Sequence, residues 1–394
     1  MERIGIYGGT FNPPHIGHME AAQQAVSLLH LSKLLLIPDR IAPHKVLPEN
    51  SPTPEQRLQM LSIAAADIPQ VEISSLELQR EGPSYTYLTV EALKQQYPEA
   101  QLVLIMGTDM FLSFDNWKNW KWLMENVTIA VLYRGQKGEQ AAIREKQETF
   151  CAMGARVELV QNQVTAISST DLRRMLAFEC AKPFLPEGVL EYIRENRLYD
   201  ASRNLRQLPM EQLEQVVITL LKPNRVAHVL GCRDTAIELA KRWGADINDA
   251  ARAGILHDIT EALDGPLQLT LCQEHGIILD AFSKENTKTL HALTGSVVAK
   301  NVFGENDAVV SAIRYHTTGR AAMSLLEKII YVADYMEPNR DFSGVEEMRR
   351  LAYSDLDAAL RMGLEMTMSI LKTNRAQIST ASLEALAYLK RDQQ

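Results

Sequence analysis

The stretch from Gly8 to His18 reads GGTFNPPHIGH, and it lies between an apolar run, Ile4 to Tyr7, and a segment with few helix breakers, Met19 to His30. This pattern predicts a strand, a glycine-rich turn and a helix. Two glycines let the backbone approach a phosphate closely, and a helix start offers unpaired N–H groups at its positive end. Two histidines lie three residues apart at that helix start. The stretch therefore predicts a site for a nucleoside triphosphate.

Length and charge restrict the class of protein. The chain has 394 residues, which predicts two or three domains. With 41 basic and 49 acidic residues its net charge is −8, which argues against broad nucleic-acid binding. No apolar run approaches the roughly 20 residues of a membrane span, and the N-terminus has no signal-peptide pattern. We therefore expect a cytoplasmic protein without a membrane partner. The scattered cysteines predict reduced packing residues: Cys151, Cys180, Cys232 and Cys272.

Strand and helix candidates alternate through the first half of the chain. The later strand candidates are residues 33–38, 71–76, 101–106, 127–133 and 157–160. This alternation predicts a Rossmann-like α/β domain with a parallel sheet and with ligands at the strand carboxyl ends. From about residue 204 helical periodicity replaces the strands, which predicts an all-α second domain. The polar segment 197–206 separates them, so we expect domains at 1–200 and 205–394.

Two motifs in the first half carry a family resemblance. The GGTFNPPHIGH stretch, together with ISSTDLR at residues 167–173, resembles bacterial nicotinate-nucleotide adenylyltransferases over about residues 1–196. The resemblance implies that a phosphate oxygen of nicotinate mononucleotide attacks the α-phosphorus of ATP, giving deamido-NAD and pyrophosphate. Mg²⁺ arrives with ATP. Because the attacking oxygen is already an anion, catalysis reduces to alignment and charge neutralisation.

The resemblance also implies roles for individual residues. His15 and His18 would contact the triphosphate, and Arg173 would close over the departing phosphates. The other ATP-binding residues would be Gly8, Gly9, Thr10, Gly107, Asp109, Ser168, Ser169 and Thr170. The nicotinate nucleotide would lie against His44, Lys45, Tyr85, Thr86 and Trp117. Leu172 stands where the family usually has isoleucine, and either residue fills the same apolar space.

Simpler interpretations of some of these residues stay open. Trp117 also fits a core residue, Asp109 a helix cap, and His44 with Lys45 a solvated loop. Another adenylyl or cytidylyl transfer on the same fold is a rival. The HIGH sequence at residues 15–18 is also found in class I aminoacyl-tRNA synthetases, but nothing here resembles a tRNA-binding module or a basic face.

Histidines and aspartates embedded in apolar helices mark the second half. His228 lies among apolar residues, His257-Asp258 ends an apolar helix segment, and Asp334 lies in another apolar run. A carboxylate in such a place is costly unless it is paired or bound to a cation. The three segments together predict a metal site, and His291 with His316 are candidates for a second metal. We leave His275 outside the site, because its surroundings are typical of an exposed helix end.

The order His, His-Asp, Asp resembles the HD phosphohydrolase superfamily. The sequences YHTTGR at 315–320 and ADYMEPNR at 333–340 resemble, more closely, the HD-type symmetrical diadenosine tetraphosphatases over about residues 210–390. This resemblance implies two metals, iron before manganese or zinc, with ligands His228, His257, Asp258, His291, His316 and Asp334. It implies cleavage of diadenosine tetraphosphate to two ADP, with phosphates held by Arg225, Arg320 and Arg340.

One departure bears on the second substrate. Glu261 follows His257-Asp258 where much of the superfamily has a lysine, which removes a cation that serves phosphate. The sequence predicts a bifunctional enzyme of NAD biosynthesis. Alternatives for its second half are hydrolysis of another nucleotide phosphate, such as guanosine tetraphosphate or a mononucleotide, and a regulatory nucleotide-binding or dimerisation module. Whether the chain forms a homo-oligomer stays open.

Overall fold

The structure, a computed structural model, describes residues 2–43, 46–48, 50–133, 138–201 and 203–391. The chain divides into two compact units, Met1–Arg203 and Asn204–Gln394. Among the helices of the described residues, none combines the length and the apolar character that crossing a bilayer requires.

The first unit alternates strands with helices, as the sequence predicts. Its strands are β1 (Arg3–Gly9), β2 (Lys33–Pro38), β3 (Val71–Ile73), β4 (Gln101–Gly107), β5 (Thr128–Tyr133) and β6 (Arg156–Gln161). Its helices are α1 (Ile16–Leu28), α2 (Pro54–Ala64), α3 (Thr86–Gln96), α4 (Thr108–Leu112), α5 (Trp120–Asn126), α6 (Glu139–Ala152), α7 (Ser169–Ala177) and α8 (Val189–Glu195). β3 is shorter than the predicted strand at 71–76 because the chain turns at Ser75, whose carbonyl accepts from the Leu78 N–H.

The six strands form one parallel sheet in the order β3-β2-β1-β4-β5-β6. Both faces are covered, which explains why the strands read as continuous apolar runs. In β2, for example, Leu35 and Ile37 pack in one core cluster and Leu34 and Leu36 in the other. The predicted Rossmann-like domain is confirmed.

The strand order places the functional edge of the sheet. β1 and β4 are neighbours, yet α1 packs in one core cluster while Phe111 of α4 packs in the other. The connections after β1 and β4 therefore run to opposite faces of the sheet. A doubly wound sheet binds ligands in the crevice between two such strands. Both glycine turns, at Gly9 and Gly107, lie at this edge.

The second unit is helical throughout its described residues, which confirms the predicted all-α domain. Its helices are α9 (Met210–Leu220), α10 (Val226–Trp243), α11 (Ile247–Leu256), α12 (Gly265–Glu274), α13 (Ala281–Glu285), α14 (Leu290–Asn301), α15 (Asp307–Tyr315), α16 (Leu325–Met336), α17 (Val345–Ser354), α18 (Leu356–Thr373) and α19 (Thr380–Arg391). α10, α11 and α16 pack on one another, α15 packs on α11 and α16, and α14 packs on α15.

The cysteines are free, as predicted, and three are buried. The prediction that all four are packing residues is wrong for Cys151, which is exposed on α6. Helix α6 is amphipathic, and its buried positions are Ile143 and Phe150. Cys151 follows Phe150 directly, so the helical rotation carries it away from the buried face.

Candidate active site and candidate metal centre

The two histidines of the HIGH sequence cap helix α1. His15 is the N-cap residue; its Nδ1 accepts from the backbone N–H of His18, and His18 Nδ1 accepts from the backbone N–H of His15, both at 3.3 Å. The rings stack with centroids 3.5 Å apart. This is a capping box in which imidazoles replace the usual hydroxyl and carboxylate.

Capping fixes the tautomer of both rings. A nitrogen that accepts a hydrogen bond carries no proton, so each neutral imidazole carries its proton on Nε2. His15 and His18 thus each have an N–H donor on the side of the ring away from the backbone they cap. Two such donors beside the positive end of a helix suit an anionic ligand.

Gly17 brings a second segment against the start of α1. A Cβ at this position would lie 2.7 Å from the carbonyl oxygen of Thr165, so only glycine permits the approach. Glu20, one turn later, accepts from the backbone N–H and the hydroxyl of Thr165 at 2.5 and 3.0 Å. The chain between β6 and α7 is therefore tied to α1 just before the second motif begins.

The second motif binds the backbone of the first. Arg173 Nη1 donates to the carbonyl oxygen of Asn12 at 2.7 Å, and the Ser169 hydroxyl donates to that of Pro13 at 3.0 Å. Arg173 also donates to the Thr170 hydroxyl at 3.1 Å, and Ser168 caps α7 by accepting from the Asp171 N–H. The predicted residues of both motifs are thus together at the carboxyl edge of the sheet.

The structure brings part of the predicted acceptor site together. Tyr85 is the N-cap residue of α3, and Thr86 is the first residue of that helix. Lys118 Nζ lies 4.4 Å from the centre of the Tyr85 ring, and the neighbouring Trp117 is half-buried against Phe114. Asp109 is exposed in the first turn of α4. The predicted pair His44 and Lys45 lies outside the described residues.

In the second unit, the six predicted ligands converge from five helices. His228 lies on α10 and Asp334 on α16; His257 and Asp258 directly follow α11; His291 lies on α14 and His316 directly follows α15. The Nε2 atoms of His228 and His257 are 3.3 Å apart, and those of His291 and His316 are 3.2 Å apart.

Asp258 lies between the two histidine pairs. Its Oδ2 is 3.7 Å from His228 Nε2 and 3.5 Å from His257 Nε2. Its Oδ1 is 3.4 Å from His291 Nε2 and 3.7 Å from His316 Nε2. Each carboxylate oxygen thus faces a different pair of imidazoles, which is the arrangement of a bridging ligand. Asp334 joins the first pair, with Oδ1 3.2 Å from His228 Nε2.

All four histidines use Nδ1 as a donor. His257, His291 and His316 donate to the carbonyl oxygen three residues earlier, at 2.7 Å in each case. His228 Nδ1 lies 3.1 Å from Oε1 of the buried Glu337. This pattern leaves each Nε2 as the lone-pair nitrogen, as metal-ligating histidines require.

Burial keeps the imidazoles of His257, His291 and His316 in the ligating form. It lowers the pKa of His257 well below its ordinary value and also lowers the pKa of His316. It lowers the pKa of His291 to about 4. A neutral imidazole binds a cation and a protonated one does not. The donor set, the tautomers and the central carboxylate together fit two divalent cations.

Two of the three predicted arginines pair with predicted metal ligands. Arg225 pairs with Asp258, and Arg340 Nη2 lies 2.6 Å from Asp334 Oδ1. Arg320 instead pairs with the buried Glu327 at 3.0 Å and lies over the ring of Tyr315.

A cation also stands beside Glu261, where the sequence departs from the superfamily pattern. Lys222 Nζ lies 3.6 Å from Glu261 Oε2 and 3.4 Å from its carbonyl oxygen. Lys222 and Arg225 are the two ends of one turn, in which the Arg225 N–H donates to the Lys222 carbonyl. This turn therefore presents two cations to the segment 258–261.

Comparisons with known proteins divide at the same place. Residues 6–175 match the Cytidylyltransferase-like family, and residues 225–339 match the HD domain. A probable nicotinate-nucleotide adenylyltransferase from Symbiobacterium thermophilum is 38% identical over 50% of this chain and 96% of its own length. Its counterpart from Geobacillus thermodenitrificans is 37% identical over 51% of this chain and 88% of its own.

The chain belongs to the nicotinate-nucleotide adenylyltransferase family. The family relationship covers its first half, and the second unit contains an HD domain. A solved structure from Clostridium acetobutylicum, described as a predicted HD superfamily hydrolase involved in NAD metabolism, is 37% identical. It covers 47% of this chain and 98% of its own length, with a TM-score of 0.46.

Two buried residues of the adenylyltransferase unit escaped sequence reasoning. Arg57 of α2 donates to the carbonyl oxygen of Thr10 at 2.6 Å and to that of Asp39 at 2.7 Å, and its Nη1 lies 3.2 Å from Asp39 Oδ1. The Thr10 hydroxyl donates to Asp39 Oδ2 at 2.7 Å. Asp39 directly follows β2, so its place at a strand end was a usable signal. Nothing in the sequence around Arg57 marks it as different from a surface helix residue.

Glu337 escaped sequence reasoning in the HD domain. Its Oε2 accepts from the backbone N–H and the side chain of Asn339, both at 2.8 Å, which aims Oε1 at His228. Gly231 on α10 makes room for this carboxylate, because a Cβ there would overlap Glu337 Oε2. The sequence DYMEPNR contained the signal, since it places a second acidic residue one turn after the predicted ligand Asp334.

Proposed function

We propose that the first unit, corresponding to the predicted domain 1–200, transfers the adenylyl group of ATP to nicotinate mononucleotide. The observation that carries this proposal is the binding of Arg173 and Ser169 to the backbone of the first motif. Family membership of this half of the chain supports the same reaction. Products are deamido-NAD and pyrophosphate, and Mg²⁺ accompanies ATP.

The chain supplies alignment and positive charge rather than a nucleophile. The Nε2–H groups of His15 and His18 donate to the triphosphate, and their fixed tautomers mean that no proton must be rearranged before the substrate binds. Arg173, with Ser168, Ser169 and Thr170, meets the departing pyrophosphate. Gly8, Gly9, Thr10, Gly107 and Asp109 line the nucleotide. In-line geometry then brings the phosphate of the acceptor to the α-phosphorus.

Tyr85, Thr86 and Trp117 form the acceptor side in this proposal. The N-terminus of α3 offers backbone N–H groups to the nicotinate carboxylate. Lys118, which lies over the Tyr85 ring, adds a positive charge that an uncharged carboxamide would not use. His44 and Lys45 remain proposed contacts of the acceptor phosphate. The site therefore favours nicotinate over nicotinamide mononucleotide.

Substrate competition tests the proposal. The full chain is supplied with ATP, Mg²⁺ and equal amounts of nicotinate and nicotinamide mononucleotides, and the two dinucleotides are separated by chromatography. We expect deamido-NAD to dominate, with stoichiometric pyrophosphate. Equal formation of both dinucleotides would remove the nicotinate assignment, and absence of both would remove adenylyl transfer to a pyridine nucleotide.

We infer that the second unit, the predicted domain 205–394, is a dimetal phosphohydrolase that cleaves diadenosine tetraphosphate symmetrically. The observation that carries this inference is Asp258, whose two oxygens face two separate histidine pairs. His228, His257, Asp258 and Asp334 would hold one cation, and Asp258 with His291 and His316 would hold the other. Iron suits this mixture of imidazole and carboxylate ligands, as do manganese and zinc. When bound, the metals polarise a phosphoryl group and activate water.

The surrounding cations support a polyphosphate substrate. Arg225 and Arg340 lie at the metal ligands, and Lys222 lies on the same turn as Arg225. Phosphate oxygens of the bridge between two adenosines would exchange for the carboxylates that these arginines now contact. Arg320 would have to break its contacts with Glu327 and Tyr315 before it could bind the phosphates. Lys222, which pairs with Glu261, supplies a cation near the position where much of the superfamily has a lysine.

Metal exchange tests this second proposal. The protein is stripped with a chelator, reloaded separately with iron, manganese or zinc, and assayed with diadenosine tetraphosphate. We expect hydrolysis to return with at least one metal and to be lost in His257→Ala. If the protein binds metal but hydrolyses only another nucleotide phosphate, that compound would replace diadenosine tetraphosphate as the proposed substrate. A chain that binds nucleotide without turnover would instead be regulatory.

A further inference from the structure

Tyr199 lies in the segment that follows α8, close to the end of the first unit. Its hydroxyl donates to Asn12 Oδ1 at 2.6 Å, joining residues 187 positions apart. Asn12 belongs to the GGTFNPPHIGH stretch and is almost fully buried. The last turn of the unit therefore contacts the nucleotide loop directly.

Asn12 is held at three atoms. Its Oδ1 accepts from Tyr199, its Nδ2 donates to the Ser51 hydroxyl at 3.1 Å, and its carbonyl oxygen accepts from Arg173 at 2.7 Å. The first two bonds fix both the rotamer and the flip of the amide. The third bond sets the direction in which the Arg173 guanidinium points.

The backbone around Tyr199 is held in an unusual conformation. Arg197 and Tyr199 both have left-handed dihedral angles, with φ of 52° and 56°, which are rare for residues with a side chain. Such angles persist only where the surroundings determine them, and they occur often at functional sites. Here the left-handed turn is what directs the Tyr199 side chain back into the unit.

The phenol serves as a donor and not as an acid or a base. Burial raises the pKa of Tyr199 far above its ordinary value, so its hydroxyl keeps its proton throughout the working range of the enzyme. A permanent donor facing Oδ1 allows only one orientation of the Asn12 amide.

We propose that Tyr199 is a positioning residue of the adenylyltransferase site, which acts through Asn12 to aim Arg173 at the departing pyrophosphate. This proposal rests on the proposed function of the first unit. It extends the site beyond the two motifs to the turn at 197–200, immediately before the chain enters the second unit. Because Arg173 acts as negative charge develops on the leaving group, the contribution of Tyr199 appears in the transition state.

The test compares Tyr199→Phe with Tyr192→Phe in the full chain. Tyr192 lies half-buried on α8 of the same unit and serves as the matched control. Tyr199→Phe keeps the ring but leaves the buried Asn12 Oδ1 without its donor. We expect kcat for deamido-NAD formation to fall about tenfold, with the KM for nicotinate mononucleotide unchanged and Tyr192→Phe near wild type.

Other outcomes distinguish failure of the proposed adenylyl transfer from failure of the positioning role of Tyr199. A wild-type chain that makes no deamido-NAD removes the proposed function itself. An active wild type with an unchanged kcat in Tyr199→Phe, even at a lower melting temperature, assigns Tyr199 a purely structural role and overturns the inference. If Tyr199→Phe does not fold, Asn12→Ala is measured instead, because it removes the side chain that accepts the Tyr199 hydrogen bond. A reduced kcat with an unchanged KM in Asn12→Ala supports the inference, and a wild-type kcat overturns it.

Discussion

Asp258 is the residue whose surroundings say most about the second unit. Its carboxylate has one oxygen toward each of two imidazole pairs, and the adjacent His257 belongs to one of these pairs. An isolated buried carboxylate would be destabilising, but a carboxylate shared by two cations is neutralised from both sides. We therefore expect replacement of a single predicted ligand to change the amount of bound metal.

Removing one histidine should empty one metal position. In His291→Ala, the second pair loses a ligand while His228, His257 and Asp334 stay intact, so we expect about one metal ion per chain in place of about two. His275→Ala is the matched control, because this histidine caps α12 outside the centre and contacts Asn301. Elemental analysis of metal-loaded protein gives the count. Equal metal content in both variants would exclude His291 as a ligand.

The buried Glu77 predicts a pH dependence of stability in the first unit. Burial raises its pKa, despite hydrogen bonds from Thr89 and Ser84. A carboxyl group whose pKa is higher in the folded state stabilises the fold below its unfolded pKa of about 4.3. That contribution is lost as pH rises through the folded-state pKa. Replacing the group with an amide should therefore stabilise the unit more at pH 7.5 than at pH 4.5.

Glu77→Gln in urea tests this sign. Three of the four tryptophans, Trp117, Trp120 and Trp122, lie in the first unit, so their fluorescence mainly follows its unfolding. The exposed Glu81→Gln is the matched control. A stability gain for Glu77→Gln that is larger at pH 4.5 than at pH 7.5 would contradict the assignment.

At the scale of elements, helix α10 and the loop after α16 must fit closely for His228 to be oriented. The loop is anchored by Arg349 of α17, which donates to the carbonyl oxygens of Met336, Glu337 and Arg340 at 2.9 to 3.0 Å. Gly231 lies one turn after His228 on α10 and leaves room for the Glu337 carboxylate that contacts His228. Helix packing and ligand orientation therefore depend on the same contact.

Gly231→Ala should disturb both properties. The added methyl group overlaps the Glu337 carboxylate, and we expect a loss of about 2 kcal/mol in unfolding free energy together with weaker metal binding. Gly295→Ala on α14 adds the same group 3.4 Å from its nearest neighbour, the His257 carbonyl oxygen, and should be tolerated. Calorimetry with and without metal measures both effects. A Gly231→Ala protein with wild-type metal affinity would show that Glu337 does not orient His228.

Much of this architecture is predictable because the relevant signals are local. The apolar runs of the strands, the glycine turn and the adjacent His257-Asp258 pair are all visible within a few residues. Parallel pairing with both faces covered then follows from the alternation of strands and helices.

Other contacts were not predictable, because they join positions that only the tertiary fold brings together. Arg57 reaches Thr10 over 47 positions, Glu337 reaches His228 over 109 and Tyr199 reaches Asn12 over 187. Arg320 has the right residue type and sequence context for phosphate binding, yet the ion pair with Glu327 sets its direction. Spacing can indicate a candidate residue, such as the acidic residue one turn after Asp334, but it does not identify that residue's distant partner.

At the scale of the whole molecule, the two proposed activities share a chemical connection. If the γ-phosphate of a second ATP replaces the mononucleotide as acceptor, adenylyl transfer produces diadenosine tetraphosphate and pyrophosphate. The proposed phosphohydrolase would consume that by-product. One chain would then both form diadenosine tetraphosphate in a side reaction and hydrolyse it.

A full-length Asp258→Asn variant tests this connection. Incubated with excess ATP and Mg²⁺ but no mononucleotide, it should accumulate diadenosine tetraphosphate, while the metal-loaded wild type should not. Adding His18→Ala to the variant should abolish the accumulation, because the first unit then lacks a proposed hydrogen-bond donor to the triphosphate of ATP. If Asp258→Asn forms no dinucleotide under these conditions, the two activities are not linked in this way.

The most direct test of the bifunctional assignment is the product pattern of diadenosine tetraphosphate cleavage by the iron-loaded chain, resolved by chromatography. Two ADP per substrate is the predicted result, since the proposal has two cations, held by the paired histidines and Asp258, acting on one polyphosphate. ATP plus AMP would show asymmetric attack and contradict the proposed placement of the substrate. No turnover with iron, manganese or zinc would contradict the assignment of the HD domain as a diadenosine tetraphosphatase.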